Sequence, residues 1–137
     1  MRSTNSQFMI NLRCSALLLL QAVLSLSLWS QTIPVTLEWK SITNGVIFSS
    51  PVIDESGVVY VGSNDNNLTA FNSDGSIKWT FTTGNWVDSS PALSKDGNTV
   101  YVGSWDNSLY AVNSVDGRLA WSFETNSYIT SSPAVDL

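Results

Sequence analysis

The side chains in this sequence that could do chemistry are clustered Asp and Asn residues. Two similar clusters stand 41 residues apart, at Asp65-Asn66-Asn67 and at Asp106-Asn107-Ser108. Their carboxylate and amide oxygens could hold a hard cation such as calcium. An EF-hand-type loop needs Gly at its sixth position and Glu at its twelfth. Counted from each Asp, those positions hold Ala70 and Ser76, and Ala111 and Gly117. Both clusters are therefore predicted to be hairpin turns, and no metal site is expected.

The composition excludes several other kinds of site. The 137-residue chain has no histidine, which removes imidazole metal ligands, Ser-His and Cys-His pairs and histidine acid–base catalysis. Its single cysteine, Cys14, lies near the N-terminus. Eleven acidic residues against six basic ones give a net charge of −5, which argues against binding nucleic acid by phosphate neutralisation. No catalytic residues can be assigned, and the chain is predicted not to be an enzyme.

Residues 1–30 have the pattern of a secretory signal peptide. Arg2 and Arg13 precede an apolar run at 16–28, which is shorter than the roughly 20 residues that span a membrane. Removal of this segment leaves residues 31–137, without cysteine and with a net charge of −7. The prediction is export, to the periplasm, the cell surface or the medium. An uncleaved anchor at 16–28 is the alternative, and it is the only membrane contact expected.

Self-comparison shows a repeat of about 41 residues. Trp39, Trp79 and Trp121 each stand ten residues before a Ser-Ser-Pro triplet, at spacings of 40 and 42 residues. Tyr-Val-Gly-Ser recurs at 60–63 and 101–104. Each unit reads as four short strands, A to D, separated by turns whose Gly and Asn tolerate positive φ. In the second unit these strands are predicted at 87–93, 99–103, 108–113 and 118–124.

The pattern predicts an all-β fold made of β-propeller blades, each a sheet of four antiparallel strands. Strand B is apolar on both faces, as at 58–61, so both of its faces should be buried. Strand D alternates and includes Lys78, which is typical of an outer edge strand. Full blades are expected at about 46–82 and 87–124, with a flanking strand D near 37–42 and the start of a third blade at 128–137.

The length predicts an incomplete propeller. Residues 31–137 hold roughly 2.6 repeats, whereas closed propellers usually have 4–8 blades. The chain is therefore interpreted as an N-terminal fragment whose further repeats are missing. Self-assembly of identical chains would place an innermost strand A against an outermost strand D, so it should close poorly. Alone, the segment should expose two unpaired blade faces and be prone to aggregate.

The segment from Ala111 to Trp121 resembles the tryptophan-docking motif, A-x-D-x-x-x-G-x-x-x-W, of quinoprotein-type propellers. A second copy runs from Ala70 to Trp79 and is one residue shorter. The resemblance covers about residues 37–137 and identifies the chain as a member of the PQQ-like, WD40-like β-propeller repeat family. That fold is shared by quinoprotein dehydrogenases and by the propeller lipoprotein of the outer-membrane barrel-assembly machine. The residues expected to dock the blades are Trp39, Ala70, Asn72, Gly75, Trp79, Ala111, Asn113, Gly117 and Trp121, with Asn72 and Asn113 in place of the usual Asp.

The family name suggests pyrroloquinoline quinone, but the residues do not. The resemblance implies that a quinoprotein dehydrogenase would need calcium, a catalytic Asp, metal-binding Glu and Asn, and often a vicinal disulfide. None of these can be assigned here, and two blades cannot enclose a central cofactor, so no cofactor is expected. The repeated Trp has a structural explanation instead, because a ring lying flat between blades buries on the order of 150–250 Å².

Four residues outside the repeated pattern form a candidate binding face. Trp86 and Tyr128 take equivalent places in the D-to-A loops, and Trp105 lies in a B-to-C turn. These connections lie at the same end of antiparallel blades, so the three aromatic residues should share one face, with Asp88 nearby. Exposed aromatic rings beside carboxylates could bind a protein loop or a sugar. The alternative is that the rings only pack over neighbouring loops.

The leading functional hypothesis is a non-catalytic, exported propeller repeat protein that provides a scaffold for a protein or carbohydrate partner. One alternative is the N-terminal piece of a larger quinoprotein or glycan-active enzyme whose catalytic residues lie outside this chain. The other is a sensor ectodomain anchored through residues 16–28.

Overall fold

The computed structural model describes residues 6–10 and 37–136. The ten regular elements in those residues are all β-strands. They are β1 (Ser6–Ile10), β2 (Trp39–Thr43), β3 (Val52–Ile53), β4 (Val59–Ser63), β5 (Asn67–Phe71), β6 (Ile77–Thr82), β7 (Ala92–Leu93), β8 (Thr99–Gly103), β9 (Ser108–Asn113) and β10 (Leu119–Glu124). The described part contains no helix that could cross a membrane. The apolar run at 16–28 and Cys14 lie outside the described residues.

Two sheets of four antiparallel strands form two complete blades. Blade 1 consists of β3, β4, β5 and β6 in that order, and blade 2 of β7, β8, β9 and β10. These are strands A to D of each repeat, which confirms the prediction of an all-β fold built from propeller blades. The described residues therefore form part of a propeller.

Strand A is much shorter than the predicted range of 87–93. Its regular part is two residues long in each blade. In blade 2 the Ser89 hydroxyl accepts the Gly103 N–H at 3.2 Å, so a side chain replaces the backbone ladder at this level. Pro91 follows and cannot donate a ladder hydrogen bond. The Ser-Ser-Pro triplet thus holds the innermost chain by side-chain hydrogen bonds rather than by strand pairing.

The flanking strand D at the N-terminal side is not alone. It is β2, and β1 pairs with it in an antiparallel register that places Ser6 opposite Thr43 and Ile10 opposite Trp39. In the complete blades strand D pairs with strand C. Strand β1 therefore takes the place beside β2 that a strand C would hold.

The predicted start of a third blade follows the course of strand A without becoming a strand. Residues 128–136 have no regular structure, and no strand B lies beside them in the described residues. The Ser90 N–H donates to the Ser132 hydroxyl at 3.2 Å. One repeat earlier the Ser50 N–H donates to the Ser90 hydroxyl at 2.8 Å. This series of serines links three successive chain passages near the inner strands.

The core runs through both blades. Strand β4 is buried at every residue, as predicted for strand B. Trp79 is buried because its ring lies on Gly117 of blade 2, where an added Cβ would stand 2.7 Å from the ring. Its indole N–H donates to the Ser114 carbonyl at 2.9 Å. Trp39 lies on Gly75 of blade 1 in the same way.

The loops before strand A also depend on a close approach to strand B. An added Cβ on Gly62 would stand 2.5 Å from both the Cγ1 and the carbonyl oxygen of Val87, which is fully buried. Gly103 has the same relation to Ile129, with a separation of 2.3 Å from its Cγ2. The glycine of Tyr-Val-Gly-Ser is therefore required by packing.

We expect Gly62→Ala to destabilise the protein by about 1–3 kcal/mol, because a methyl group must displace both the side chain and the backbone of Val87. The measurement is the free energy of unfolding in urea. Gly97→Asn is the control, since nothing lies within 4 Å of a Cβ there and its φ of +71° suits Asn. Equal stability of Gly62→Ala and the wild type would contradict the packing assignment.

The aspartates of the two A–B turns, Asp54 and Asp96, have a lowered pKa. Burial opposes the shift at Asp54, but hydrogen bonds from Ser56, Val58 and Tyr60 together outweigh it. Hydrogen bonds from Ser94 and then Asn98 lower the pKa of Asp96 to about 2. The carboxylates therefore stabilise the turns in their charged form.

The sign of the resulting pH dependence follows from these lowered values. The unfolded chain takes up protons first, so this stabilisation is complete above about pH 4 and is lost as the pH falls towards about 2. We expect the urea midpoint to fall over that range, and Asp96→Asn to make the decline shallower. Glu55→Gln serves as the control because Glu55 accepts no hydrogen bond in the described structure. The same acid profile in Asp96→Asn and the wild type would contradict this account.

Candidate binding face

One end of both blades carries the D–A loops (44–51, 83–91 and 125–133) and the B–C turns (64–66 and 104–107). We call this end the loop face, and the end with the A–B and C–D turns the turn face. Each B–C turn is hydrogen-bonded to the D–A loop before it: the Asn64 N–H donates to the Val46 carbonyl, and the Trp105 N–H donates to the Trp86 carbonyl, both at 2.9 Å. The predicted common end of these connections is thus observed.

The D–A loop that follows each B–C turn is hydrogen-bonded to the junction between strand B and that turn. The Val87 N–H donates to the Ser63 carbonyl at 3.2 Å, and the Ile129 N–H donates to the Ser104 carbonyl at 3.0 Å. Because Val87 and Ile129 face inward, the residue before each of them is left at the surface of the loop face. Those residues are Trp86 and Tyr128.

The three aromatic residues predicted to share a face are in contact. The rings of Trp105 and Tyr128 are stacked, with centroids 4.6 Å apart and planes at 15°. The rings of Trp86 and Trp105 are tilted, with centroids 5.2 Å apart. The outer two rings remain largely open, since Trp86 is 43% and Tyr128 is 55% exposed. The three rings therefore pack on one another while the two outer residues stay exposed.

Polar atoms without a partner collect on this same face. Three buried side-chain atoms in the described residues make no hydrogen bond: Asn64 Oδ1, Asp88 Oδ1 and Trp105 Nε1. All three belong to D–A loops or B–C turns. Asp88 follows Trp86 by two residues and is half-buried. Buried polar groups are nearly always paired, so unpaired ones concentrated at one surface call for an explanation.

The aspartates of the B–C turns, by contrast, are fully used within the fold. Asp106 Oδ2 accepts the Gly84 N–H at 2.6 Å and the Tyr110 hydroxyl at 2.7 Å, and its Oδ1 accepts the Ser108 N–H. Asp65 receives the Asn44 N–H at 3.0 Å in the same way. These carboxylates fasten the preceding loop to the turn. No group of metal ligands occurs among the described residues.

The turn face has a cavity of about 380 Å³ between the A–B turns, lined by residues 54–56 and 93–97. Two of its three acidic side chains, Asp54 and Asp96, accept hydrogen bonds from their own turns, and the third is Glu55. The loop face is the stronger candidate site, because exposed aromatic rings in contact and buried polar atoms without a partner occur together there.

The blade-docking residues are distributed over neighbouring repeats. Ala70 is the cross-strand partner of Trp79, and Ala111 that of Trp121. The glycine of the motif instead receives the Trp of the preceding repeat. In the C–D turns, the Asn113 Oδ1 accepts the Val115 N–H at 2.9 Å, and the Asn72 amide donates to the Ser76 hydroxyl at 2.9 Å. Trp121 is 46% exposed, because no further blade covers it in the described residues.

Sequence reasoning missed three members of the loop face. Val46 and Phe48 are 39% and 68% exposed, and they occupy the positions equivalent to Trp86 and Asp88. Asn64 takes the place of Trp105. The repeat alignment contained the signal, because these are the positions at which the repeats differ.

The match to known proteins agrees with this architecture. A family model described as outer membrane protein assembly factor BamB matches residues 26–136. Among solved structures 98 chains match, including the crystal structure of BamB from Moraxella catarrhalis, with a TM-score of 0.60 and 19% identity over 67% of this chain. This chain spans 28% of that structure's length. At this identity the likeness shows the fold, and the predicted PQQ-like propeller family is confirmed. No curated protein matches the chain.

We expect Asp106→Ala to cost about 1.5–3 kcal/mol, because it leaves the Gly84 and Tyr110 donors without their charged acceptor. The free energy of unfolding measures the loss. Asp116→Ala is the matched control on the turn face. Its carboxylate accepts the Arg118 N–H of its own turn, as Asp106 accepts the Ser108 N–H, but its other contact is an exposed pair with Arg118 at 3.5 Å that is worth less than about 1 kcal/mol, so the loss should be smaller. Equal losses in the two variants would show that the B–C turn carboxylate does not fasten the loop.

Proposed function

The chain belongs to the family of outer membrane protein assembly factor BamB, and from that premise we propose that it is a non-catalytic scaffold that binds a protein partner through its loop face. The observation that carries this proposal is the row of Trp86, Trp105 and Tyr128, which is held by the fold and open at both outer rings. Aromatic residues positioned in this way are typical centres of protein interfaces.

The chemistry of the loop face supports binding rather than catalysis. The B–C turn carboxylates are occupied by donors of the fold, which leaves Asp88 as the free carboxylate in the D–A loops and B–C turns. The chain has no histidine. A lone carboxylate beside aromatic rings can fix the orientation of a partner, but it has no paired acid or base with which to transfer protons.

We also propose export, with residues 1–30 as a signal peptide and residues 31–137 as the propeller segment. Cleavage would remove β1, so the pairing of β1 with β2 would belong to the chain before cleavage. The basic residues and apolar run near the N-terminus support the first part. The family description supports the second, since it names a factor in outer membrane protein assembly. Binding at the loop face then takes place outside the cytoplasm.

The loop face can be tested by site-specific photo-cross-linking of the full chain in its native cells. We expect a photoreactive residue in place of Tyr128 to yield discrete cross-linked protein adducts. The control is the same residue in place of Val115, which is 66% exposed but lies in a C–D turn on the turn face. Adducts from Val115 alone would show that the partner binds the turn face and would contradict binding at the loop face. Adducts from neither position would contradict a protein-binding scaffold.

A further inference from the structure

We propose that the loop face recognises an arginine-bearing segment of its partner, which stacks on the aromatic row and pairs with Asp88. This inference rests on the proposed function, because it specifies the chemistry of the partner at the same surface. It is carried by the distribution of charge, by the free carboxylate and by the geometry of the rings.

The charge distribution favours a cationic partner. The basic side chains between residues 37 and 136 are Lys40, Lys78, Lys95 and Arg118. None lies in a D–A loop or a B–C turn: two are in the outer strands β2 and β6, and two are in or beside the turns of the turn face. A cation approaching the loop face therefore meets carboxylates and aromatic rings without a competing positive charge on these loops.

Asp88 supplies an acceptor that the fold leaves unused. Its carboxylate makes no hydrogen bond or ion pair within the described residues, and its Oδ1 is buried. Burying a charged oxygen without a donor is unfavourable, so a donor from outside gains more here than at an already paired group. The Asp65 and Asp106 carboxylates of the same face accept backbone N–H groups and do not compete for that donor.

The rings select the shape of the cation. Trp86 and Tyr128 are both exposed residues, and both flank Trp105. A guanidinium is planar, so it can stack on such a ring while its N–H groups donate to a carboxylate beside the ring. An ammonium group is compact and strongly hydrated, and it lacks this geometry. Arginine is therefore favoured over lysine.

The test is a titration of the full chain with unstructured Gly-Ser peptides, followed through the indole N–H signals of the protein by NMR. One peptide carries three arginines, a second carries citrulline at the same places, and a third carries lysine. Citrulline keeps the planar shape but has no charge. We expect the arginine peptide to bind about tenfold more tightly than the citrulline peptide, with lysine between them.

The site can be located with two variants that each remove one negative charge. Asp88→Asn should abolish most of the preference for arginine over citrulline, whereas Glu55→Gln on the turn face should retain it. Trp86→Ala should also weaken the binding of the arginine peptide. This variant provides a second test if Asp88→Asn does not fold. Equal binding of arginine and citrulline peptides, or an unchanged preference in Asp88→Asn, would overturn the inference.

The outcomes separate this inference from the proposed function. Cross-linking at Tyr128 without any preference for arginine would leave the scaffold proposal standing and remove the cationic partner. Competition by a neutral β-linked oligosaccharide, with no response to the arginine peptide, would assign the rings to a sugar instead and would also overturn the inference.

Discussion

The contact on which the rest of the structure depends is the seating of each D–A loop on the bare backbone of strand B. Gly62 and Gly103 have no side chain, so Val87 and Ile129 can approach to distances that a Cβ would forbid. With these residues held inward, their amides reach the carbonyls of Ser63 and Ser104, where strand B meets the B–C turn. The preceding residue, Trp86 or Tyr128, must then lie outward. One steric condition in the core thereby sets the position of the candidate binding row.

The two ends of the blades satisfy their polar groups differently. On the turn face, carboxylates such as Asp54 and Asp96 accept several hydrogen bonds from their own turns and have a lowered pKa as a result. On the loop face, Asp88 and Trp105 each bury an atom that has no partner in the described residues. Each such atom costs about 1–3 kcal/mol, which the continuous core of the two blades must offset. A surface that a partner completes would recover part of that cost on binding.

Most of the scaffold could be predicted because the same sequence pattern occurs in each repeat. Residues that recur at equivalent positions of the repeat predict strands B, C and D, the positive φ at Asn66 and Asn107, and the burial of strand β4. Strand A could not be bounded, since the Ser-Ser-Pro hydroxyls replace ladder hydrogen bonds there. The pairing of β1 with β2 was also missed, because residues 6–10 lie outside the repeat and carry no pattern that identifies a partner strand.

The candidate residues of the loop face could be picked out from the sequence for a related reason. Three copies of a loop within one chain act as a small comparison set. The inward position holds Ile47, Val87 and Ile129, which are all β-branched. The outward positions vary freely: Val46, Trp86 and Tyr128 at one, and Phe48, Asp88 and Thr130 at another.

A residue needed to stack blades must suit every blade, so it repeats. A residue that contacts a partner meets a different part of that partner in each blade, and it has no reason to repeat. Variation of the residue type at equivalent positions of the D–A loops therefore indicates the same surface as the exposed rings and the unpaired polar atoms.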